Sequence, residues 1–293
     1  MRIALTGASG FIGSYAAKAL AADGHQVVAL LRPQSRTEHV RGVLADAVVG
    51  TFDDPDTQRR LCRGVECVVH AAVDWKAVGD PREHFRVNVA GTLGLLESAR
   101  QAGVGQFIFF SSIGAYHEIL PDRALDETHP AWPNSRYGAA KAAVEPFLKA
   151  YHFEHGMNTV SLRPGGVYGI DPRLTRSWYF ALVKRVRNGE RIDTAAGGKI
   201  VSVHDCAEAV RLCAGNPAAA GRFFVLVDCY LHDQEVAEMA RRICGSPSEI
   251  VDRKGAGPKN QFDTSAAKAL GVPLNRGAEG VQAYLEELLV AMK

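Results

Sequence analysis

Thr6-Gly7-Ala8-Ser9-Gly10-Phe11-Ile12-Gly13 follows the apolar run Ile3-Ala4-Leu5 and leads into a helix-like stretch from Ser14 to Ala22. Strand, glycine turn and helix in that order predict a site for the pyrophosphate of a dinucleotide. Gly7 can take a backbone conformation closed to other residues, Gly10 lets the main chain approach a phosphate with no Cβ in the way, and Gly13 lets the helix lie close to the sheet. The helix N-terminus adds free N–H donors and a partial positive charge. Ser9, Phe11 and Ile12 complete the turn and count with the three glycines as cofactor-binding candidates.

Immediately downstream, Gln26 to Leu31 reads as a second strand, apolar enough to be buried on both faces. Its end bears on the type of cofactor. An NAD site commonly places an acid there to accept from the adenine ribose hydroxyls, but this chain continues Leu31-Arg32-Pro33-Gln34-Ser35-Arg36. Arg32 and Arg36 suit a 2′-phosphate, which guanidinium groups grip by paired hydrogen bonds. NADP(H) is therefore the preferred cofactor, with NAD(H) as the other option.

Strand and helix go on alternating. Ala47 to Gly50 is read as a strand, Asp56 to Arg63 as a helix, and Glu66 to Ala72 as a strand whose small terminal residues, Ala71 and Ala72, leave space for a ligand. Phe85 to Ala102 has helical spacing and Gln106 to Phe110 is β-rich, stopping at Ser111-Ser112. This order predicts an α/β fold: a Rossmann-type, doubly wound parallel sheet with its site across the strands' carboxyl ends. Asn88 sits inside the 85–102 helix, where Asn is a poor helix former, so a role in holding active-site loops is expected of it. Tyr137 and Lys141 are one helical turn apart at the start of an alanine-rich helix and project from one face.

The dinucleotide domain is assigned to residues 1–168 and a smaller α/β substrate region to 169–293, with 199–229 partly folding back onto the first. Arg173 to Arg187 mixes aromatic and basic residues and reads equally as a solvated helix face or a substrate wall. Residues 199–213 are expected to return a strand and a helix to the main domain. Phe223 to Val227 is read as a strand, Gln234 to Ile243 as a helix, Gly255-Ala256-Gly257-Pro258 as a loop, and Asp263 or Thr264 as a cap.

Composition narrows the partners. With 34 Lys+Arg against 32 Asp+Glu in 293 residues, the charge of +2 generates no field that would recruit nucleic acid or an anionic membrane. No apolar run approaches the ~18 residues of a membrane span. The six cysteines form no CxxC pair and have no histidine at ligand spacing, so no metal is expected and the thiols are read as reduced, in a cytoplasmic protein. The expected partner is a small-molecule substrate.

These motifs resemble, nearly end to end, the extended short-chain dehydrogenase/reductases of the NAD(P)-dependent epimerase/dehydratase group. The likeness rests on TGASGFIG at 6–13, HAA at 70–72, Asn88-Val89-Ala90-Gly91-Thr92, Ser111 to Tyr116, YGAAK at 137–141, Arg163 to Gly169, Val203-His204-Asp205, and Phe262 to Ser265 leading to Leu270-Gly271. It implies Ser112, Tyr137 and Lys141 as the catalytic set, with Asn88 beside them, and puts Tyr137, Lys141 and Arg163 among the cofactor contacts. It also implies a homodimer through helices near residues 95 and 145, although Pro146 could kink the second. Two departures shape the substrate. Dehydratases of the group carry an acidic pair where this chain has Ile113 and Gly114, and sugar-nucleotide members typically carry Asn at the position of Gly166 and Arg at that of Gly198. Leu31-Arg32-Pro33 and Ala72 to Trp75 are closer to the dihydroflavonol-reductase-like branch, whose members reduce ketones with NADPH. The expected function is hydride transfer between a nicotinamide and a secondary alcohol or ketone. The alternatives are nucleotide-sugar 4-epimerisation and, third, a dinucleotide sensor without turnover.

Overall fold

The structure is a computed structural model and describes residues 1–253, 255, 257 and 260–293. The first half alternates strand and helix: β1 (Arg2–Thr6), α1 (Phe11–Ala22), β2 (Gln26–Leu31), β3 (Leu44–Val49), α2 (Pro55–Cys62), β4 (Cys67–His70), α3 (Pro81–His84), α4 (Gly91–Gln101), β5 (Gln106–Phe110), α5 (Arg136–His155) and β6 (Asn158–Pro164). Then come β7 (Gly166–Tyr168), α6 (Phe180–Arg187), β8 (Gly197–Ser202), α7 (Val203–Cys213), β9 (Arg222–Leu226), β10 (Cys229–His232), α8 (Asp233–Cys244), α9 (Ser265–Ala269) and α10 (Gly277–Ala291). Among the described residues no helix is long and apolar enough to cross a membrane.

Seven strands pair in the order β3-β2-β1-β4-β5-β6-β9, all parallel. The pleat divides their side chains between two layers. Ile3 and Leu5 pack with Ala16, Ala17 and Leu20 of α1 and Val210 and Cys213 of α7, whereas Ala4 packs with Leu95 and Leu96 of α4 and Val144 and Leu148 of α5. Each fully buried Leu, Ile or Val contributes roughly 1.5–3 kcal/mol relative to exposure, so helices on both faces are held by the apolar strands between them. The chain winds outward from β1 through β2 to β3 and then crosses to β4. The carboxyl ends of β1 and β4 therefore diverge into a crevice, the place where such sheets bind ligands.

Several boundaries differ from the sequence reading. β3 begins at Leu44 rather than Ala47, because it is an edge strand with Ala45, Asp46 and Ala47 exposed and thus lacks an apolar signal. The helix expected over 85–102 starts as a π-helical stretch, Phe85–Ala90, continuing from α3, and only then becomes α4. Both β7 and β8 lie in a separate three-stranded sheet, β10-β8-β7, so the boundary expected at 168 falls after a strand that already belongs to the second sheet. Of the stretch expected to return to the main sheet, α7 packs on α1 and β9 on β6, but β8 does not join them. α5 continues through Pro146. Asp263 accepts from Ser265 N at 2.8 Å at the head of α9, while the Thr264 side chain makes no cap. Of the loop read at 255–258, Ala256 and Pro258 lie outside the described residues.

Candidate active site

A cleft of about 880 Å³ runs along the carboxyl ends of the main-sheet strands. Gly7, Ser9, Gly10, Phe11, Ile12, Gly13, Arg32, Arg36, Ala71, Ala72, Ser112, Tyr137 and Lys141 all line it. Asn88 and Arg163 do not.

At the crevice, Gly7 has φ +78 and packs so tightly on Ala71 and Ala72 that a Cβ would meet their backbone at 3.0 Å. A Cβ on Gly13 would stand 2.1 Å from the Gly7 carbonyl oxygen, so this glycine is required by the turn itself rather than by contact with the sheet. α1 starts from Gly10 with no side-chain cap and no acid in its first turn, which leaves its amide donors to the cleft. The buried Ser111 hydroxyl also lines the cleft, and among the described residues it has no hydrogen-bond partner. A bare helix start, a turn closed to any Cβ and an orphaned hydroxyl fit the pyrophosphate and ribose of a dinucleotide.

A buried relay that motif reading did not anticipate supports this crevice. His70 Nδ1 is 2.7 Å from Thr6 Oγ1 and its Nε2 is 2.9 Å from Thr92 Oγ1. Thr92 donates to the Asn88 carbonyl, so it accepts from Nε2–H; Nδ1 is then the acceptor for Thr6, whose oxygen accepts from Ala72 N. Burial pushes the imidazole down to about 3, so it stays neutral and bonds both threonines. Three elements, β1, β4 and α4, are thereby tied at the cleft floor.

At the other end, Ser135 caps α5 by accepting from Gly138 N at 3.1 Å. A Cβ on Gly138 would lie 2.0 Å from the Gly114 carbonyl, and only this close approach of α5 to the 112–116 turn brings Tyr137 to Ser112. The Ser112 hydroxyl stands beside the Tyr137 phenol and favours its ionised form, and Ser112 Oγ accepts from Gly114 N at 3.0 Å. Lys141 Nζ donates to the Phe110 carbonyl at 2.6 Å and lies 5.8 Å from the centre of the Tyr137 ring. Burial pushes the Tyr137 phenol up, only partly offset by Ser112, and pushes Lys141 down to about 7. Trp75, which is 63% exposed, stacks on Tyr137 with ring centres 5.1 Å apart.

Two expected site residues lie outside the cleft lining. The Asn88 carboxamide accepts from Asp74 N at 2.8 Å and donates to Asp74 O at 3.0 Å, so it holds the loop that carries Trp75 rather than facing the cleft. Arg163, expected among the cofactor contacts, does not line the cleft: its guanidinium is buried against Glu145, with Nε to Oε1 at 2.7 Å and Nη2 to Oε2 at 2.8 Å, and also reaches the Tyr116 hydroxyl.

Fold and site together define a dinucleotide-dependent enzyme. The family model for the NAD dependent epimerase/dehydratase family matches residues 3–226, and the chain belongs to that family. Its relatives include a UDP-glucose 4-epimerase from Mycolicibacterium smegmatis, 31% identical over 98% of this chain and 98% of the relative. A dTDP-glucose 4,6-dehydratase from Streptomyces niveus is 28% identical over 90% of this chain and 85% of its own length. Among solved structures, the UDP-glucose 4-epimerase of Thermus thermophilus in complex with NAD superposes with a TM-score of 0.81 at 28% identity, over 99% of this chain and 100% of that one. The protein is accordingly an NAD(P)-dependent enzyme of the epimerase/dehydratase family.

Proposed function

We propose that the protein is an NADP(H)-preferring oxidoreductase that passes hydride between the nicotinamide and a secondary alcohol or ketone of a small molecule. The observation that carries this reading is the meeting of Ser112, Tyr137 and Lys141 at one end of a cleft whose other end holds Arg32 and Arg36. When bound, the dinucleotide supplies the hydride couple and, oxidised, a positive charge beside the phenol. Ser112 donates to the substrate oxygen as its charge changes, a role in which one placed donor is worth ~10²–10³ in rate. Tyr137 moves the proton between its phenolic oxygen and the substrate oxygen; burial keeps that proton on, which favours it as the acid of ketone reduction. Lys141 would hold the nicotinamide ribose hydroxyls, and near neutral pH it is divided between ammonium and amine. Trp75 covers one face of the Tyr137 ring against water.

On the substrate side, the Trp178 indole lies on Gly166, where a Cβ would meet it at 2.9 Å, so no larger residue fits there without moving the ring. The exposed Trp75 indole at the reacting end suits an apolar ketone better than a sugar diphosphate. The second reading, nucleotide-sugar 4-epimerisation, is supported by the names of the relatives. A reductase consumes NADPH in step with an added ketone; an epimerase equilibrates UDP-glucose with its 4-epimer without net change at the nicotinamide absorbance. The second result would replace the proposed function. Exposed Phe147 and Phe153 on α5 support a homodimer through α4 and α5.

NADP(H) preference is supported by Arg32 and Arg36, both exposed on the cleft wall beside Ser35, whose Oγ accepts from Arg32 N at 3.0 Å. Of the nearby acids, Asp53 is engaged by Arg86 at 2.9 Å and Glu38 is solvent-exposed. A guanidinium on the 2′-phosphate is worth ~1.5–3 kcal/mol, or roughly tenfold to 150-fold in favour of NADPH. Leu31→Asp with Arg32→Asn should reverse the order by adding a ribose acceptor and repelling the phosphate. Dissociation constants for both cofactors on both proteins check this, and equal wild-type affinities would remove the preference.

A further inference from the structure

The basic segment after β7 has a place in the cleft that the reading above leaves unused. Arg173 and Arg176 line the same cleft as Gly7, Gly10 and Gly13, from the side of the second sheet. They flank one 3₁₀ turn, Leu174–Arg176, in which Arg176 N donates to the Arg173 carbonyl at 2.7 Å. Residues three apart in such a turn lie above one another, so both side chains leave on the same side. Both are exposed, and among the described residues neither forms an ion pair; the neighbouring Asp171 carboxylate accepts from Arg173 N at 2.7 Å.

What this segment rests on points to its ligand. Gly169, at φ +145, lies so close to Phe11 that a Cβ would meet the ring at 3.2 Å, and Tyr15 donates from its hydroxyl to the Ile170 carbonyl at 3.2 Å. Asp171 N donates in turn to Ser177 Oγ at 2.9 Å, closing the loop. The arginines are therefore carried on a loop anchored to the first two turns of α1, the helix whose bare N-terminus opens on the cleft. Two guanidinium groups without carboxylate partners, sharing one cleft with free amide donors, are the chemistry that binds a diphosphate.

We propose that Arg173 and Arg176 clamp the cofactor's pyrophosphate from the second lobe, so that dinucleotide binding draws the two lobes together. This rests on the dinucleotide reading of the cleft. A nucleotide substrate's diphosphate has the same chemistry, but the anchoring to α1 favours the cofactor's.

The test is calorimetric titration of the full chain with NADP⁺, NAD⁺, 2′-AMP and UDP. Arg173→Gln with Arg176→Gln should weaken both dinucleotides by roughly tenfold to a hundredfold, the scale of losing two charge-assisted contacts. Binding of 2′-AMP, which has no pyrophosphate, should not change, nor should the thermal unfolding midpoint. Arg173→Lys with Arg176→Lys keeps both charges and should retain most of the affinity. Dinucleotide binding unchanged in the Gln pair, 2′-AMP weakened as much as NADP⁺, or a Lys pair as weak as the Gln pair each overturns the proposal. Loss of UDP binding with the dinucleotides unaffected also overturns it, moving the arginines to the substrate. A wild type that binds neither dinucleotide overturns the reading of the cleft itself, a result distinct from all of these.

Discussion

Tyr137→Phe is expected to lower turnover by about 10² to 10⁴, the usual range for removal of a general acid–base group, while leaving dinucleotide affinity nearly unchanged. The geometry makes the substitution clean. The Phe ring keeps the stack with Trp75, whose centre lies 5.1 Å away, and the helix start keeps its Ser135 cap. What disappears is the hydroxyl that meets Ser112. Steady-state rates and a cofactor titration on the same preparation check it. A variant retaining more than about a tenth of wild-type turnover contradicts the assignment of the proton to this phenol.

The largest effect on stability should come from Arg163→Met. Arg163 and Glu145 are only 4% and 3% exposed in their side chains, and their fork is completed by Ser161, which donates to Glu145 Oε1 at 2.8 Å. Removing the guanidinium leaves a carboxylate in the interior with one hydroxyl donor in place of three. Breaking a buried pair in this way costs ~3–5 kcal/mol, whereas replacing both members by apolar groups of similar volume is often near neutral. Urea unfolding should therefore show a large loss for Arg163→Met and recovery of most of it in Arg163→Met with Glu145→Met. A single-variant loss below about 1 kcal/mol would mean that the pair is solvated in solution. Because Glu145 is one turn beyond Lys141 on α5, the single variant should also disturb the site, and the double variant should restore it only in part.

Much of the site could be read from the chain because its pieces depend on local rules. The turn from Gly7 to Gly13 needs glycine for reasons internal to eight residues, and Tyr137 and Lys141 share a helix face because four residues make a turn. β2 and β5 match their expected bounds because both are short apolar runs buried in the sheet. Where the expectations missed, the deciding partner was distant. Arg163 looked like a site residue from its motif, but Glu145, on a different element, claims it. Asn88 does hold a loop, as its awkward place in a helix suggested, but which loop was decided by the backbone of Asp74, fourteen positions earlier.

By itself, then, the amino-acid order determined the alternation of strand and helix, the parallel sheet and the identity of the groups at both ends of the cleft, because periodicity, turn chemistry and helical spacing act over a few residues. Only the tertiary structure decided that β7 and β8 leave the main sheet, that Trp75 covers Tyr137, that His70 ties Thr6 to Thr92, and that Arg173 and Arg176 line the same cleft as the glycine turn. Those outcomes depend on which surfaces meet across tens to more than a hundred residues of chain, and on burial, which raised the phenol and lowered the lysine by an amount no spacing encodes.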